Sequence, residues 1–451
     1  MHRFVIGQGW RLAAEYLAWA VTAAWCIRTR TLMQRFGEVP DLSEVQWDLC
    51  PTTAPGLIIV VPAKDEAETL QPAMETLLAQ DYPWLRIVAV DDRSTDSTGT
   101  LLEELATAHP GKLDVVHLQE TAEGWLGKTF ALEVATQNSR SEYILYTDAD
   151  VWFSPSILRR ALCYAEMTRA DHLVIAPTAT TKSWGERTVL GFLQIFALWA
   201  SRPWRVSDPA ARWDVAAAGA FNLFRREALE ELGGLAPQRL AVVEDITLGR
   251  RIRAAGMRQR LAFAPGLVLV HWAPGALGLI RGMTKNLFAL VNFRFLLQGL
   301  TMSGLIALFL LPMFGLAWWP TLLPSLITLA CIALWYQLAA EVTGIPARFG
   351  WLYPLGTVAM LWAMLRSVVV TLWRRGVLWR GTFYPLRELR QHNSPFVWEW
   401  QATKIRGERR KAERVARPSR WLRTVNRVRH RPARTPPAAR DRNDAPHIRP
   451  K

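Results

Sequence analysis

Cysteine is scarce. The 451 residues hold four, Cys26, Cys50, Cys163 and Cys331. They lie too far apart for a thiolate metal site or a disulfide framework, which suits a reducing compartment. Basic charge is missing from the body of the chain. Of the net +15, residues 374–451 carry 22 Lys and Arg against 6 Asp and Glu, or +16, leaving −1 for the rest. The basic character therefore belongs to a tail and is no sign of nucleic-acid binding by the main body, and no nucleic-acid partner is expected. No small-residue cleavage site follows the first apolar segment, so an uncleaved anchor is expected there and not a signal peptide.

Apolar residues make up half the chain, and 22 residues are Trp. Trp10 to Ile27 is apolar except for Arg11, Glu15 and Thr22, and is followed by Arg28 and Arg30. It is long enough to cross a hydrocarbon layer of ~30 Å at ~1.5 Å per residue. Residues 1–30 are therefore expected to be an N-terminal membrane anchor, with an interfacial helix as the alternative. Met302 to Trp319, Leu322 to Ala340 and Trp351 to Trp373 can each span, and their terminal Trp and Tyr suit aromatic belts. This predicts transmembrane helices over 301–373, with Arg366 turned to other helices or a cavity. Between 276 and 300, Arg281, Lys285 and Arg294 are mixed with Leu, Phe and Val, which predicts an amphipathic interfacial helix. Residues 374–451 read as a basic, largely disordered tail attracted to anionic lipid.

From 56 to 275 the pattern is α/β. Leu57 to Val61 and Arg86 to Val90 are near-continuous apolar runs, as strands covered on both faces should be. They alternate with helix-like stretches, which argues for a doubly wound, mostly parallel sheet. Such sheets bind ligands at the carboxyl ends of their strands. Acidic pairs follow three of these strands directly: Asp65/Glu66, Asp91/Asp92 and Asp148/Asp150. Asp148 and Asp150 stand at i and i+2 and point one way if the backbone stays extended. Two carboxylates so placed repel each other, and Mg²⁺ or Mn²⁺ relieves that repulsion.

Six segments in order carry a resemblance: Val60-Val61-Pro62-Ala63-Lys64-Asp65-Glu66, Val90 to Asp96, Gly127 to Leu132, Thr147-Asp148-Ala149-Asp150, Gly219 to Gly234, and Val243-Glu244-Asp245. Together they resemble the motifs of family-2 glycosyltransferases. The resemblance covers about residues 56–300 and implies the GT-A fold. It places Pro62, Asp65, Glu66, Asp91, Asp92, Lys128, Asp148 and Gly219 around a nucleotide sugar, with Asp91 and Asp92 the leading candidates for the nucleoside. Arg93 stands where the family more often has Gly. The resemblance makes Asp150 and Asp148 the metal ligands, Asp150 the more direct. It also makes Asp245, with Glu244 beside it, the catalytic pair, Asp245 taking the acceptor proton. Glu244 and Asp245 equally suit a helix start.

Processive members carry Gln-x-x-Arg-Trp where this chain has Arg281-Gly282-Met283-Thr284-Lys285-Asn286. That difference argues for transfer of one sugar. Trp379-Arg380-Gly381-Thr382-Phe383-Tyr384 resembles the end of membrane-bound members. The expectation is an inner-membrane, multi-pass, hexosyltransferase-like enzyme with a cytoplasmic catalytic domain. It moves a single sugar from a nucleotide-diphosphate sugar to a lipid, with a divalent metal and inversion, and is similar to ceramide-glucosyltransferase-like, hopanoid-associated and carotenoid glycosyltransferases. A polysaccharide or polyprenyl-phosphate glycosyltransferase is the alternative enzyme, and a catalytically inactive membrane scaffold the alternative outside enzymes. One conflict is built in: three crossings after a cytoplasmic domain put the basic tail outside, against the positive-inside rule.

Overall fold

The segment Leu57–Ala63 is buried at every position. The computed structural model describes residues 2–49, 51, 53–137, 139–211, 213–392, 403–407 and 409. Its first helix is α1 (His2–Arg35). There follow β1 (Leu57–Ala63), α2 (Ala67–Leu78), β2 (Leu85–Asp92), α3 (Thr98–Ala108), β3 (Leu113–Leu118), α4 (Gly127–Gln137) and β4 (Tyr143–Tyr146). Then come β5 (Val151–Phe153), α5 (Ile157–Met167), β6 (His172–Ala176), β7 (Thr178–Ala179), α6 (Trp184–Ala200), β8 (Asn222–Arg225) and α7 (Arg226–Glu231). The α/β part closes with α8 (Glu244–Ala254), β9 (Gln259–Phe263), β10 (Val268–Val270) and α9 (Gly275–Met283).

The main sheet has seven strands in the order β3-β2-β1-β4-β8-β6-β9. β1 pairs in parallel with β2 and β4, β2 with β3, and β6 with β9. β8 runs antiparallel between β4 and β6. Alternation along β1 feeds two core layers. Ile59 and Val61 pack in a cluster with Met74 of α2 and Leu162 of α5, while Ile58 and Val60 share one with Leu132 of α4 and Ile252 of α8. The strand order reverses between β1 and β4, and such a reversal opens a crevice at the carboxyl ends of those strands. The mostly parallel, doubly wound expectation thus matches the sheet. A smaller sheet, β5-β10-β7, lies beside it.

A capping box starts α6. Ser183 Oγ accepts the Glu186 N–H at 3.3 Å, and the Glu186 carboxylate accepts the Lys182 N–H at 2.7 Å. The same carboxylate accepts the Gly275 N–H at 2.7 Å, so one buried acid ties together the starts of α6 and α9.

Beyond α9 lie α10 (Phe295–Leu305), a π-turn over Ile306–Leu310, α11 (Leu311–Gly315), α12 (Trp319–Thr343), α13 (Tyr353–Arg374), the hairpin β11 (Gly376–Trp379) and β12 (Thr382–Pro385), and α14 (Leu386–His392). Among the described residues, three helical segments are long and apolar enough to cross a membrane: Phe295–Gly315, Trp319–Thr343 and Ala347–Arg374. α1 is not among them. It continues past residue 30 to Arg35 and packs along α12, where Thr22 Oγ1 donates to the Pro324 carbonyl at 2.8 Å and Trp335 Nε1 to Thr29 Oγ1 at 2.9 Å.

The single amphipathic helix expected over 276–300 is corrected by the structure: α9 ends at Met283 and α10 begins at Phe295. Ser367 of α13 explains part of the break. Its hydroxyl donates to the Thr284 carbonyl (2.5 Å) and accepts the Phe288 N–H (2.9 Å), replacing the i to i+4 bond a continuing helix would make there. Asn292 and Phe293 then take left-handed backbone angles, φ 53° and 56°, and turn the chain into α10. The tail also departs from expectation, because residues 376–392 are ordered as β11, β12 and α14. The disorder expected beyond about Lys404 falls mostly outside the described residues.

Candidate active site

The carboxyl ends of β1 and β4 and the first turn of α4 surround a cleft of about 720 Å³, counting its open mouth. Pro62, Glu66, Asp92, Lys128, Asp148 and Asp150 line it. Three expected nucleotide-sugar contacts do not line it: Asp65, Asp91 and Gly219, the last of which lies in a second pocket. Asp91 and Asp92 are strand neighbours and point to opposite faces. Asp92 faces the cleft, whereas Asp91 accepts the Ser94 N–H and bonds His117 Nδ1, both at 3.0 Å. Asp65, with φ 51°, accepts the Thr95 N–H at 2.7 Å and Thr95 Oγ1–H at 3.1 Å, so it braces the loop after β2. Arg93 holds the left-handed conformation, φ 60°, that glycine would adopt without strain. Its Nε bonds Asp92 Oδ1 at 2.8 Å, which offsets that strain.

Lys128 joins this cleft to a second, deeper pocket. Its Nζ lies 2.5 Å from Asp148 Oδ1 and 2.6 Å from Glu244 Oε1. Burial favours the neutral amine, but the two carboxylates prevail and hold Lys128 well above the ordinary lysine range. Burial likewise pushes Asp148 up, and Lys128 more than reverses it, leaving the carboxyl below its usual value. The deeper pocket contains Asp148, Gly219, Glu244 and Asp245. A Cβ at Gly219 would stand 2.8 Å from Asp148 Oδ2, so glycine allows the close approach of backbone to carboxylate. Glu244 and Asp245 form the first turn of α8, and Asp245 Oδ1 accepts the Ile246 N–H at 2.7 Å.

Two carboxyls are held above the ordinary carboxylate range. Burial, then Asp148 and Glu66, push Asp150 up to about 6. Burial, then Glu244, push Asp245 up to about 6. A carboxyl poised there can accept a proton near neutral pH. Among the described residues, no group of three or more His, Cys, Asp or Glu side chains is arranged to hold a metal unaided. Asp148 and Asp150 nevertheless fit Mg²⁺ or Mn²⁺, since such ions bind through one or two carboxylates and complete their shell with phosphate oxygens and water.

The sequence reading gave no role to the hairpin residues Trp379, Arg380 and Tyr384. Lys285, Trp379, Arg380 and Tyr384 also line the cleft. Arg380 Nη2 pairs with Glu66 Oε1 at 2.6 Å, and its Nη1 donates to the Lys64 carbonyl at 3.0 Å. Tyr384 accepts the Gly127 N–H at 3.3 Å. Lys285 Nζ stands 3.5 Å from the Trp379 ring centroid. Burial, together with Lys128 and Arg380, lowers Lys285 to about 8. The signal for this hairpin was local: Arg380-Gly381, with φ 47° and 80°, forms a two-residue turn that suits a tight hairpin. That it folds onto the end of β1 and the start of α4, 316 and 257 residues away, has no local signature.

Residues 58–233 match the family model described as Glycosyl transferase family 2. Among curated proteins, the chain is similar to the beta-monoglucosyldiacylglycerol synthase of Synechocystis, 31% identical over 153 residues, covering 33% of this chain and 31% of that protein. It is also similar to the polyprenol monophosphomannose synthase of Mycolicibacterium smegmatis, 27% identical over 180 residues, covering 39% and 63%. The match therefore spans less than two thirds of either relative. Among solved structures, a mannosyltransferase from Pyrobaculum calidifontis in complex with GDP-Man and Mn²⁺ aligns with a TM-score of 0.47 and 20% identity, covering 80% of this chain and 99% of that one. The motifs and the family match agree over one stretch: residues 58–233, which run from β1 through β8 of the main sheet, are similar to family-2 glycosyltransferases.

Proposed function

We propose that this chain is a membrane-bound glycosyltransferase that moves a single sugar from a nucleotide-diphosphate donor to a lipid hydroxyl, with a divalent metal and with inversion. The observation that carries this reading is the pair of pockets joined at Lys128: a cleft lined by both acids and bases, and a deeper pocket holding Asp245. Apolar helices long enough to cross a bilayer belong to the same compact unit.

In this reading Asp92 and Glu66 contact the nucleoside, and Lys128, Lys285 and Arg380 face the diphosphate. Asp150 and Asp148 hold Mg²⁺ or Mn²⁺, which when bound neutralises charge on the departing diphosphate. The acceptor hydroxyl enters beside Asp245. Its proton passes to the Asp245 carboxylate as its oxygen bonds the anomeric carbon. The bond from that carbon to the diphosphate breaks on the opposite face, which inverts the centre. Glu244, held by Lys128, keeps negative charge next to Asp245 and so favours proton uptake. The lipid acceptor is supported by the two relatives, whose names refer to a diacylglycerol and a polyprenol product.

The test is a thermal-shift screen of the solubilised protein with UDP-, GDP- and dTDP-sugars, with and without Mn²⁺. One donor should stabilise the protein only with metal. Asp150→Ala should lose that shift, while Asp245→Ala should keep it and lose transfer. Equal loss of binding in both variants overturns the division of roles. A lipid-extractable product bearing one sugar supports this reading, and a ladder of sugars supports the polysaccharide alternative. No shift with any donor favours the inactive scaffold.

A further inference from the structure

Three apolar segments follow the catalytic domain, with mean hydropathies of 1.8, 1.7 and 1.7. If all three crossed a bilayer, the chain would leave the last of them on the side opposite the catalytic domain. The contacts at its two ends say otherwise. At the start, a Cβ on Gly344 would lie 2.6 Å from Thr178 Cγ2 of β7, and one on Gly191 of α6 would lie 3.4 Å from Ile345. At the end, the β11–β12 hairpin sits on the donor cleft through Arg380 and Tyr384. Arg390 then donates to the Phe293 carbonyl at 3.0 Å, joining the chain just after α13 to the chain just before α10. Both ends of α13 therefore lie on the catalytic side.

The first two segments form a hairpin. Thr321 Oγ1 donates to the Gly315 carbonyl at 2.8 Å at its closed end, and Trp10 of α1 stacks on Trp318 there, centroids 5.8 Å apart. From that end α1 and α12 run alongside each other to the catalytic domain, where Phe36 meets Phe263 at 5.3 Å. The 25 residues of α12 give a length of about 37 Å, enough to cross.

α13 is packed differently. One face is fitted to elements of the catalytic side: a Cβ on Gly356 would stand 2.8 Å from the Thr188 carbonyl of α6, and Ser367 is spliced into the chain after α9. The opposite face is an exposed apolar stripe, Leu355, Val358, Trp362, Leu365, Val369 and Leu372, at helical spacing. Arg348 precedes the helix, and Arg374 and Arg375 follow the stripe.

We propose that α13 does not cross the membrane. It lies in the bilayer plane at the catalytic face, with this stripe in the boundary between headgroups and acyl chains. The bilayer is crossed by α10 with α11 and by α12, along which α1 packs. The stripe's occupant is lipid because α13 is continuous with the crossing hairpin and has cationic residues at both ends. Arg374, Arg375, Arg380, Arg387 and Arg390 then stay on the catalytic side, in accord with the positive-inside rule. Val368 of α13 also packs in one cluster with Leu126 and Val242, whose neighbours Gly127 and Glu244 bound the two pockets, so the interfacial helix underlies the site an acceptor lipid must reach.

This inference rests on the membrane-embedded reading, and one experiment separates the two. Single cysteines are placed at Arg348 and Arg374 in the full chain after replacement of its native cysteines. Thr107→Cys marks the catalytic side and Trp319→Cys the far end. Membrane vesicles of both orientations are treated with an impermeant maleimide. Positions 348 and 374 should label with Thr107, and Trp319 from the other side. Labelling of 348 and 374 from opposite sides overturns the proposal while leaving the membrane reading intact. Labelling of Thr107 and Trp319 from the same side overturns both. Tryptic cleavage after Arg348 and Arg374 in the unaltered protein gives the same reading if the cysteine variants misfold. A fluorophore at Val358→Cys should be quenched by shallow spin-labelled lipid. Disulfide cross-linking of two copies there without lipid quenching overturns lipid as the occupant.

Discussion

Lys128→Met tests the bridge between the two pockets. The substitution keeps most of the side-chain volume and removes the charge that lies 2.5 Å from Asp148 and 2.6 Å from Glu244. Glu244 is 11% exposed and loses its bonded cation, while Asp148 is 40% exposed and is partly screened by water. Removing one partner of a buried ion pair costs roughly 3–5 kcal/mol, and the exposure of Asp148 places this case near the lower bound, at about 3 kcal/mol. That corresponds to a fall of roughly 6–12 °C in Tm for a domain of ~150–250 residues. The pH dependence carries the sharper signature. Without the ammonium, nothing opposes burial at Asp148 and Asp245, and their folded-state pKa values rise above the unfolded ones. The folded variant then binds more protons than the unfolded chain, so its stability increases as pH falls. The deficit against the parent protein should narrow between about pH 8 and pH 5, as those carboxyls protonate. Thermal unfolding of both proteins across that range is the assay. A variant as stable as the parent near pH 8, or a deficit that widens toward pH 5, would refute the bridge as a source of stability.

Three further outcomes are expected. With donor saturating, the transfer rate should fall about tenfold per pH unit below the value of about 6 to which burial and Glu244 raise Asp245, because the base is then protonated; a flat profile from pH 7 to pH 5 in single-turnover assays argues against Asp245 as base. Arg380→Ala should weaken donor binding roughly 10- to 100-fold, the loss of one charged hydrogen bond, yet leave Tm almost unchanged, because the Arg380 side chain is 41% exposed. Glu186 is held down to about 2: burial would raise it, but the Lys182 and Gly275 N–H groups, Ser183 and His271 lower it further than burial lifts it. Its contribution to stability is present above the ordinary 4.5 and lost as pH falls toward 2. Glu186→Gln should therefore be less stable at neutral pH and flatter across that acid window in thermal unfolding.

The core of the fold was legible because burial on both faces of β1, β2 and β4 leaves a mark on sequence: runs such as Leu-Ile-Ile-Val-Val with no polar alternation. The carboxylates were legible for a related reason, since polar residues directly after such runs collect at one sheet edge. The sense of each side chain was less so. Strand alternation alone separates Asp91 from Asp92 once the strand is known to run through both, as β2 does to Asp92. The break between α9 and α10 could not be read locally, because Ser367, which contributes to it, lies 79 to 83 residues ahead of its partners there. Hydropathy alone does not say how α13 lies. Hydropathy counts apolar residues whichever neighbour they face, so a helix packed on protein along one side and exposed along the other scores like a spanning one. The small and hydroxylated residues Gly356, Thr357, Ser367 and Thr371, all on the buried face, were the signal that it lies against protein.

The charge pairing in the cleft leads to a last expectation. Glu66 is engaged by Arg380, Asp92 by Arg93 and Asp148 by Lys128. Asp150 has no ion-pair partner among the described residues, and its carboxyl is pushed up to about 6. A donor diphosphate entering here must draw Lys128 and Arg380 away from their carboxylates, which leaves those acids uncompensated beside Asp150. A divalent cation on Asp150 and Asp148 supplies the missing charge only when the diphosphate is present. Alone, it competes with Lys128 for Asp148 and gains few protein ligands. Donor and metal should therefore bind cooperatively, and by the same factor in either order, since coupling between two sites is reciprocal. Titration calorimetry should show weak Mn²⁺ binding to the free protein and weak donor binding without Mn²⁺, each tightened at least tenfold by the other. Asp150→Asn should abolish the coupling while leaving the weak metal-free donor affinity unchanged or slightly improved, because the substitution removes the one acid that no base offsets. Tight metal binding to the free protein, or donor affinity indifferent to metal, would show that Asp150 is not where the missing charge is supplied.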